Sequence, residues 1–238
     1  LNEKLRHTGL FFPHDPGARS TLGGMIANNA SGTRTVYYGS TKDYVLRLSG
    51  VLASGEIIEI GNQASKTSSG YDLIRLFVGS EGTLGIVAGA TVRLVGLPVE
   101  FSAAVATFPS VEAASKVVFE IMRSGLNPAA LELLGPECIA LMNEEEDLKL
   151  TVSPTLIMEF HGTTTSQLAE VLEMAEEICK NEGCRVFEPG VGRSERDRIF
   201  KARHALGEII IRKHPDCGIL VMDVAVPITA YPELIAAS

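Results

Sequence analysis

Two stretches of this 238-residue sequence hold residue types suited to a phosphorylated or planar ligand. The first runs Phe12-Pro13-His14-Asp15-Pro16-Gly17-Ala18-Arg19-Ser20-Thr21 and continues through Leu22-Gly23-Gly24-Met25-Ile26-Ala27-Asn28-Asn29-Ala30-Ser31-Gly32. Small side chains there are interleaved with Asn, Ser and Thr, so backbone N–H groups can approach a large ligand and successive ones can form an anion-binding concavity. The same residues also suit tight turns around a packed helix, and composition does not separate the two readings. The second stretch, Gly79-Ser80-Glu81-Gly82-Thr83-Leu84-Gly85-Ile86-Val87, has glycine at every third position. It is not a G-x-G-x-x-G fingerprint. No strand–glycine–helix unit with a downstream acid surrounds it, which disfavours a nicotinamide dinucleotide.

Other chemistry is thinner. The histidines His7, His14, His161, His204 and His214 show no ligand spacing, so no metal is expected. The cysteines Cys138, Cys179, Cys184 and Cys217 form no C-x-x-C pair and read as reduced, mostly buried thiols, with a Cys179–Cys184 bridge as the minor alternative. Hydrophobic residues make up 45% and charged residues 21% of the chain, a profile of packed domains. The net charge of -8 carries no basic stripe, which argues against nucleic acid and anionic membrane surfaces as partners. The longest apolar run, Gly218 to Val226, is too short to span a bilayer.

The elements that must position these residues fall into two textures. Up to about Pro98 the chain is rich in glycine and short β-type runs. Val45 to Leu52 reads as a strand that turns at Gly55 into Glu56 to Ile60. Phe77-Val78, Gly85 to Val87 and Ala90 to Val95 read as further strands, and Gly61 to Gly70 as a loop. Beyond Val99, strands alternate with helices. Phe101 to Phe108 is expected to be a strand, followed by a helix capped by Ser110 and stopped by Gly125. A short helix over Pro136 to Asn143, a solvated acidic loop from Glu144 to Asp147 and a strand from Thr155 to Phe160 come next. Gln167 to Asn181 is an amphipathic helix ended by Gly183. Arg185 to Phe187 reads as a strand, Glu195 to Lys213 as a helix, and Gly218 to Val226 as a strand closed by Pro227. This alternation implies an α+β layer structure. Leu1 stands in a helix already under way and Ser238 follows a helix beginning at Tyr231, so both ends read as cut and a fragment is expected.

Taken jointly and in order, these motifs resemble the FAD-linked oxidases of the vanillyl-alcohol oxidase and p-cresol methylhydroxylase type. Within that family the likeness is nearest to the branch of D-lactate dehydrogenase (cytochrome) and the glycolate oxidase flavin subunit. The resemblance rests on Asp15-Pro16-Gly17, Gly23 to Gly32, Tyr38-Gly39, Ser69-Gly70-Tyr71-Asp72-Leu73 and Gly79 to Ile86. It continues through Glu159-Phe160-His161-Gly162, Lys201-Ala202-Arg203-His204 and Asp223-Val224-Ala225-Val226-Pro227, and so covers essentially the whole chain.

The resemblance implies an α+β fold in two parts. Residues 1–98 would be the C-terminal part of an FAD-binding domain, a second subdomain with a mixed or antiparallel sheet and helices. Residues 99–238 would be a truncated, ferredoxin-like α+β cap over the substrate. FAD contacts are implied for Asp15, Pro16, Gly17, Ala18, Arg19, Ser20 and Thr21, for Gly24, Asn28, Asn29, Ala30 and Ser31, and for Glu81, Gly82, Thr83, Leu84, Gly85, Ile86 and Val87. Arg203 is implied to grip a substrate carboxylate, for which a bidentate guanidinium is suited, and a salt bridge on a helix surface is the alternative. His161 and His204 are expected to be hydrogen-bonded structural residues. The implied reaction is oxidation of a D-2-hydroxy acid, D-lactate ahead of glycolate, to the 2-keto acid. Electrons would pass to cytochrome c or a quinone, in the cytoplasm, at the inner-membrane periphery or in a mitochondrion. The pyrophosphate loop and the histidine-rich catalytic segment of the family are not among these residues, so the general base is expected beyond Ser238. A catalytically inactive fragment is the alternative.

Overall fold

A computed structural model of the chain describes residues 1–238 except 18, 19, 65, 147, 192, 221 and 238, and without the side chains of residues 146, 191, 193 and 195. The chain divides into two units, Leu1–Leu97 and Pro98–Ser238.

In the first unit, strands β1 (Leu10–Phe11), β2 (Val45–Val51), β3 (Ile57–Gly61), β4 (Ile86–Val92) and β5 (Val95–Gly96) are joined by short helices α1 (Asn2–Leu5), α2 (Leu22–Ala27), α3 (Thr35–Tyr38) and α4 (Leu73–Phe77). An antiparallel sheet has the order β3-β2-β4, and β1 pairs separately with β5. The expected hairpin forms: Gly55 adopts φ +85° and its amide donates to the Leu52 carbonyl at 2.9 Å. Leu48 of β2 is buried against Ile26 of α2 and Ile74 and Phe77 of α4. Phe77-Val78, expected as a strand, instead closes α4. The Asp72 carboxylate accepts from the Arg75 amide at 3.1 Å and caps that helix. Ile74 and Phe77 stand three residues apart on its inward face, a helical spacing that two adjacent apolar residues could not reveal. The expected strand from Ala90 to Val95 divides, because the Arg93 amide donates to Tyr44 rather than to the ladder, at 2.8 Å.

The second unit runs β6 (Glu100–Thr107), α5 (Val111–Ser124), β7 (Ala130–Leu134), α6 (Pro136–Glu146), β8 (Thr155–Gly162), α7 (Thr165–Asn181), β9 (Val186–Val191), α8 (Arg193–Lys213) and α9 (Tyr231–Ala237). Its sheet has the order β7-β8-β6-β9 with every neighbouring pair antiparallel. The units β6-α5-β7 and β8-α7-β9 therefore interleave, which is the ferredoxin-like arrangement, with α6 added between β7 and β8. Alternation along the strands gives the sheet two apolar faces. Ala104, Ala106, Leu156, Met158 and Phe160 pack with α5 and α7, whereas Val105 and Ile157 pack with Ile139 of α6 and Ile199 and Leu206 of α8. The Ser110 hydroxyl accepts from the Ala113 amide at 3.2 Å, and Gly125 ends α5 in the left-handed region, as expected.

Three expectations change in this unit. β7 is unanticipated, because Glu132 interrupts a short apolar run that fits neither period. The acidic run is not a loop from Glu144 to Glu146, Asp147 lying outside the described residues: α6 continues to Glu146, and Glu144 and Glu145 pair with Lys213 and Arg212 at the end of α8. Gly218 to Val226 is not a strand in its described residues. Leu220 is 83% exposed and Met222 75% exposed, so this apolar run lacks the facing layers that a buried strand requires. Among the described residues, no helix is long and apolar enough to cross a membrane.

Ile121 is fully buried between α5 and the sheet. Ile121→Ala should lower the stability of the second unit by about 2–5 kcal/mol, read as a reduced urea midpoint at unchanged slope.

Candidate functional site

The two glycine-rich stretches meet through backbone hydrogen bonds. Thr21 starts α2 by accepting from the Gly24 amide at 3.1 Å. At the other end the Asn28 amide donates to the Gly24 carbonyl at 3.0 Å, and Asn29 takes φ +47°, a conformation Asn tolerates better than most residues. The Asn29 side chain accepts from the Lys42 amide at 3.0 Å, and the Ala30 carbonyl accepts from the Thr41 hydroxyl at 2.6 Å. The second stretch then docks on the end of α2. The Gly79 amide donates to Ile26 at 3.0 Å and the Glu81 amide to Ala27 at 2.9 Å. Gly79, Glu81 and Gly82 all have positive φ, and the Thr83 hydroxyl closes the turn on the Ser80 carbonyl at 2.6 Å.

Asp15 is tied to the same wall by steric fit. A Cβ on Gly32 would lie 1.8 Å from the Asp15 carbonyl oxygen, so only glycine lets the segment through. Within that segment the Asp15 carboxylate accepts from the Gly17 amide at 3.3 Å. Ala18 and Arg19, two of the implied FAD contacts, lie outside the described residues. Just before Asp15, His14 is buried edge-on to Phe12 and Tyr44, with ring centroids 5.0 and 4.7 Å away. Its Nε2 makes no hydrogen bond among the described residues. Burial pushes the imidazole below its ordinary pKa, against a smaller opposing pull from Asp43.

These residues have the chemistry that a flavin dinucleotide needs. Ser20, Thr21, Asn28, Ser31, Glu81, Gly82 and Thr83 are exposed, and the amides of Gly82 and Leu84 donate no hydrogen bond among the described residues. Beside them Ile86 leaves the turn 66% exposed at the start of β4, an apolar surface next to polar donors. An isoalloxazine has an apolar face and a heteroatom edge, so the mixture fits it. Gly23 packs α2 onto β4, where a Cβ would lie 3.4 Å from the Val87 carbonyl oxygen. A cavity of about 490 Å³ lies elsewhere in this unit, between Lys42, Asp43 and the segment from Gly61 to Arg75, and contains none of these residues. A smaller cavity of about 170 Å³ between α2 and β4 is lined by Leu22, Gly23, Ile26 and residues 87–90, and so takes in Val87 of the implied FAD contacts. Thr41 was missed as a contributor because its part is a buried hydroxyl contact to the Ala30 carbonyl, which no side-chain pattern announces.

The second unit holds Arg203 on α8. Its Nε donates to the Glu132 carboxylate on β7 at 2.8 Å, a pair between helix and sheet rather than one along a helix surface. His161 does take the hydrogen-bonded place expected of it, 2.6 Å from Glu159. Glu159 is buried and also faces Arg196 of α8 at 3.4 Å, while the Arg196 guanidinium lies 4.5 Å over the Phe101 ring. His204 differs: its buried Nε2 has no hydrogen-bond partner among the described residues. The thiols are unpaired and less uniformly buried than expected. Cys179 is buried and its pKa is pushed up to about 12, mainly by that burial, whereas Cys217 is exposed.

Two outcomes follow. Gly32→Ala should destabilise the first unit by about 1–3 kcal/mol, because backbone rather than a flexible side chain must give way; an unchanged denaturation midpoint would place the Asp15 segment elsewhere. His14 has a folded pKa below its unfolded value, so the stability it contributes is complete above about pH 6.5 and lost as pH falls through the folded pKa. Melting curves taken from pH 7.5 downward should therefore show a shallower acid-side decline for His14→Phe than for the parent protein.

Residues 97–238 match the FAD linked oxidases, C-terminal domain, and residues 1–61 match an FAD binding domain. A probable mitochondrial D-lactate dehydrogenase of Danio rerio is 42% identical over 99% of this chain and 48% of its own length. The glycolate oxidase subunit GlcD of Bacillus subtilis is 34% identical over 96% of this chain and 49% of its own, and a D-2-hydroxyglutarate dehydrogenase of Xanthomonas citri pv. viticola is 33% identical over 99% and 50%. The chain thus spans about half the length of the curated relatives it matches. A solved alkyldihydroxyacetonephosphate synthase shares the fold, with a TM-score of 0.70 at 21% identity over 90% of this chain and 43% of that one. With the C-terminal domain of the family matched over more than half of its residues, this chain belongs to the FAD-linked oxidases.

Proposed function

We propose that the protein carrying this chain is an FAD-dependent D-2-hydroxy-acid dehydrogenase, with D-lactate favoured over glycolate and a cytochrome or quinone as electron acceptor. The observation that carries this reading is the docking of the Gly79–Glu81 turn onto the end of α2, which assembles one continuous surface from both glycine-rich stretches. The relatives named for D-lactate, glycolate and D-2-hydroxyglutarate support the substrate class. A mitochondrial or membrane-peripheral setting is consistent with the mitochondrial name of the Danio rerio relative.

In this reading residues 1–98 form part of the FAD-binding domain and residues 99–238 the substrate cap. FAD, when bound, would supply the two-electron acceptor for oxidation of the hydroxy acid. The chain's own work is positioning. Asp15 to Thr21 and Asn28 to Ser31 offer short polar groups and amides to the dinucleotide. Glu81 to Val87 supply a turn of backbone donors followed by the apolar Ile86. Arg203 takes the substrate carboxylate, for which its planar fork of donors is suited. No general base is assigned among these residues.

The test is anaerobic addition of D-lactate, glycolate, L-lactate and D-2-hydroxyglutarate to the purified FAD-loaded enzyme. D-lactate should bleach the oxidised-flavin band fastest and L-lactate should leave it intact. A flavin that none of the D-acids or glycolate reduces would end the proposal.

A further inference from the structure

We infer that Glu132 is the positioning residue for Arg203, holding the guanidinium by one edge so that the rest of it is aimed at a substrate carboxylate. This rests on the reading of Arg203 as the carboxylate-binding group. Glu132 stands on β7, which is fixed in the sheet by its register with β8, Glu132 opposite Ile157. Arg203 stands on α8, and its Nε–H is occupied by the Glu132 carboxylate at 2.8 Å. The guanidinium is planar and its five donors form a rigid fork, so a bond at Nε fixes the plane and leaves the two Nη nitrogens to bind a second carboxylate. Among the described residues Arg203 has no acceptor besides Glu132. Its side chain is 35% exposed against 17% for Glu132, so the arginine stands nearer to solvent than its partner and keeps access to a ligand.

The backbone beneath Arg203 is fixed as well. Arg196 lies seven residues earlier, two helical turns, on the same face of α8, and faces the buried Glu159 of β8 at 3.4 Å. Two arginine–carboxylate pairs thus set α8 against adjacent strands, one buried and one at the edge of exposure. The buried pair fixes the helix; the outer pair fixes a single side chain. An arginine free of Glu132 would carry its charge unneutralised but sample many rotamers. At a partly exposed site the charge effect is screened, while an arginine chain has much rotamer freedom to lose on binding. Orientation is the larger effect, and loss of Glu132 weakens carboxylate binding.

The test uses the FAD-loaded enzyme with D-lactate. Glu132→Ala should raise KM about tenfold while kcat changes by less than about threefold, since a carboxylate grip made equally in ground and transition states affects KM alone. Glu132→Gln keeps an oxygen that accepts from Nε and should restore most of the parent KM. If Glu132→Ala fails to fold, Glu132→Asp makes the same test, because the shorter chain loses the 2.8 Å contact and should raise KM without lowering kcat. An unchanged or lowered KM in Glu132→Ala or Glu132→Asp, or a Gln variant as poor as Ala, overturns the positioning role. Arg203→Ala separates the two claims: if it raises KM but Glu132→Ala does not, only the positioning role falls, whereas an unchanged KM in Arg203→Ala removes the reading beneath it.

Discussion

Two backbone hydrogen bonds, Gly79 to Ile26 and Glu81 to Ala27, decide the shape of the first unit. The end of a helix leaves carbonyls with acceptor capacity to spare, and here a second glycine-rich turn supplies donors: Ile26 accepts from Gly79 as well as from Asn29, and Ala27 accepts from Glu81. Satisfying those carbonyls forces residues 79, 81 and 82 into the left-handed region, which glycine accepts freely and glutamate does not. Glu81 is held there because the amide it directs at Ala27 and the Ser80–Thr83 turn both require it. The same bend delivers Ile86 to the start of β4 with its side chain uncovered. One constraint thus makes a backbone-lined surface with an apolar patch beside it. That combination is what the proposed flavin contact rests on.

Much of this was legible in the chain's own chemistry, and the remainder was hidden for physical reasons. Helix ends in the second unit follow local rules: Ser110 caps, Gly125 and Gly183 stop, and all three act within a few residues of their own position. The glycine-rich stretches announced a close approach of backbone to something, yet not to what. Gly32 is an instance, because its need for a bare Cα comes from Asp15, seventeen positions away, and shows only when the two are superposed in space. β7 was invisible for the opposite reason. Glu132 breaks its apolar run, and that glutamate belongs there because Arg203 comes down on it from α8. The acidic run at the end of α6 misled in the same manner, since its partners Arg212 and Lys213 are nearly seventy residues downstream. Charges that look solvated in one dimension were half of ion pairs in three.

The second unit is held by a conventional two-faced sheet, but α8 depends on more than apolar packing. Ile199, Phe200 and Leu206 bury against Val105 and Ile157, and that contact alone would tolerate sliding by a turn. Burying Glu159 removes the tolerance. An uncompensated carboxylate in that place would cost several kcal/mol, so His161 and Arg196 have to remain beside it, and Arg196 is further held over the Phe101 ring. The ionic cluster adds little net stability by comparison with an apolar replacement. Its effect is on register: α8 has one position in which the buried charge is matched, and in that position Arg203 falls over Glu132. The fate of a partly exposed arginine at the proposed substrate site is therefore set two turns away, by a carboxylate that no solvent reaches.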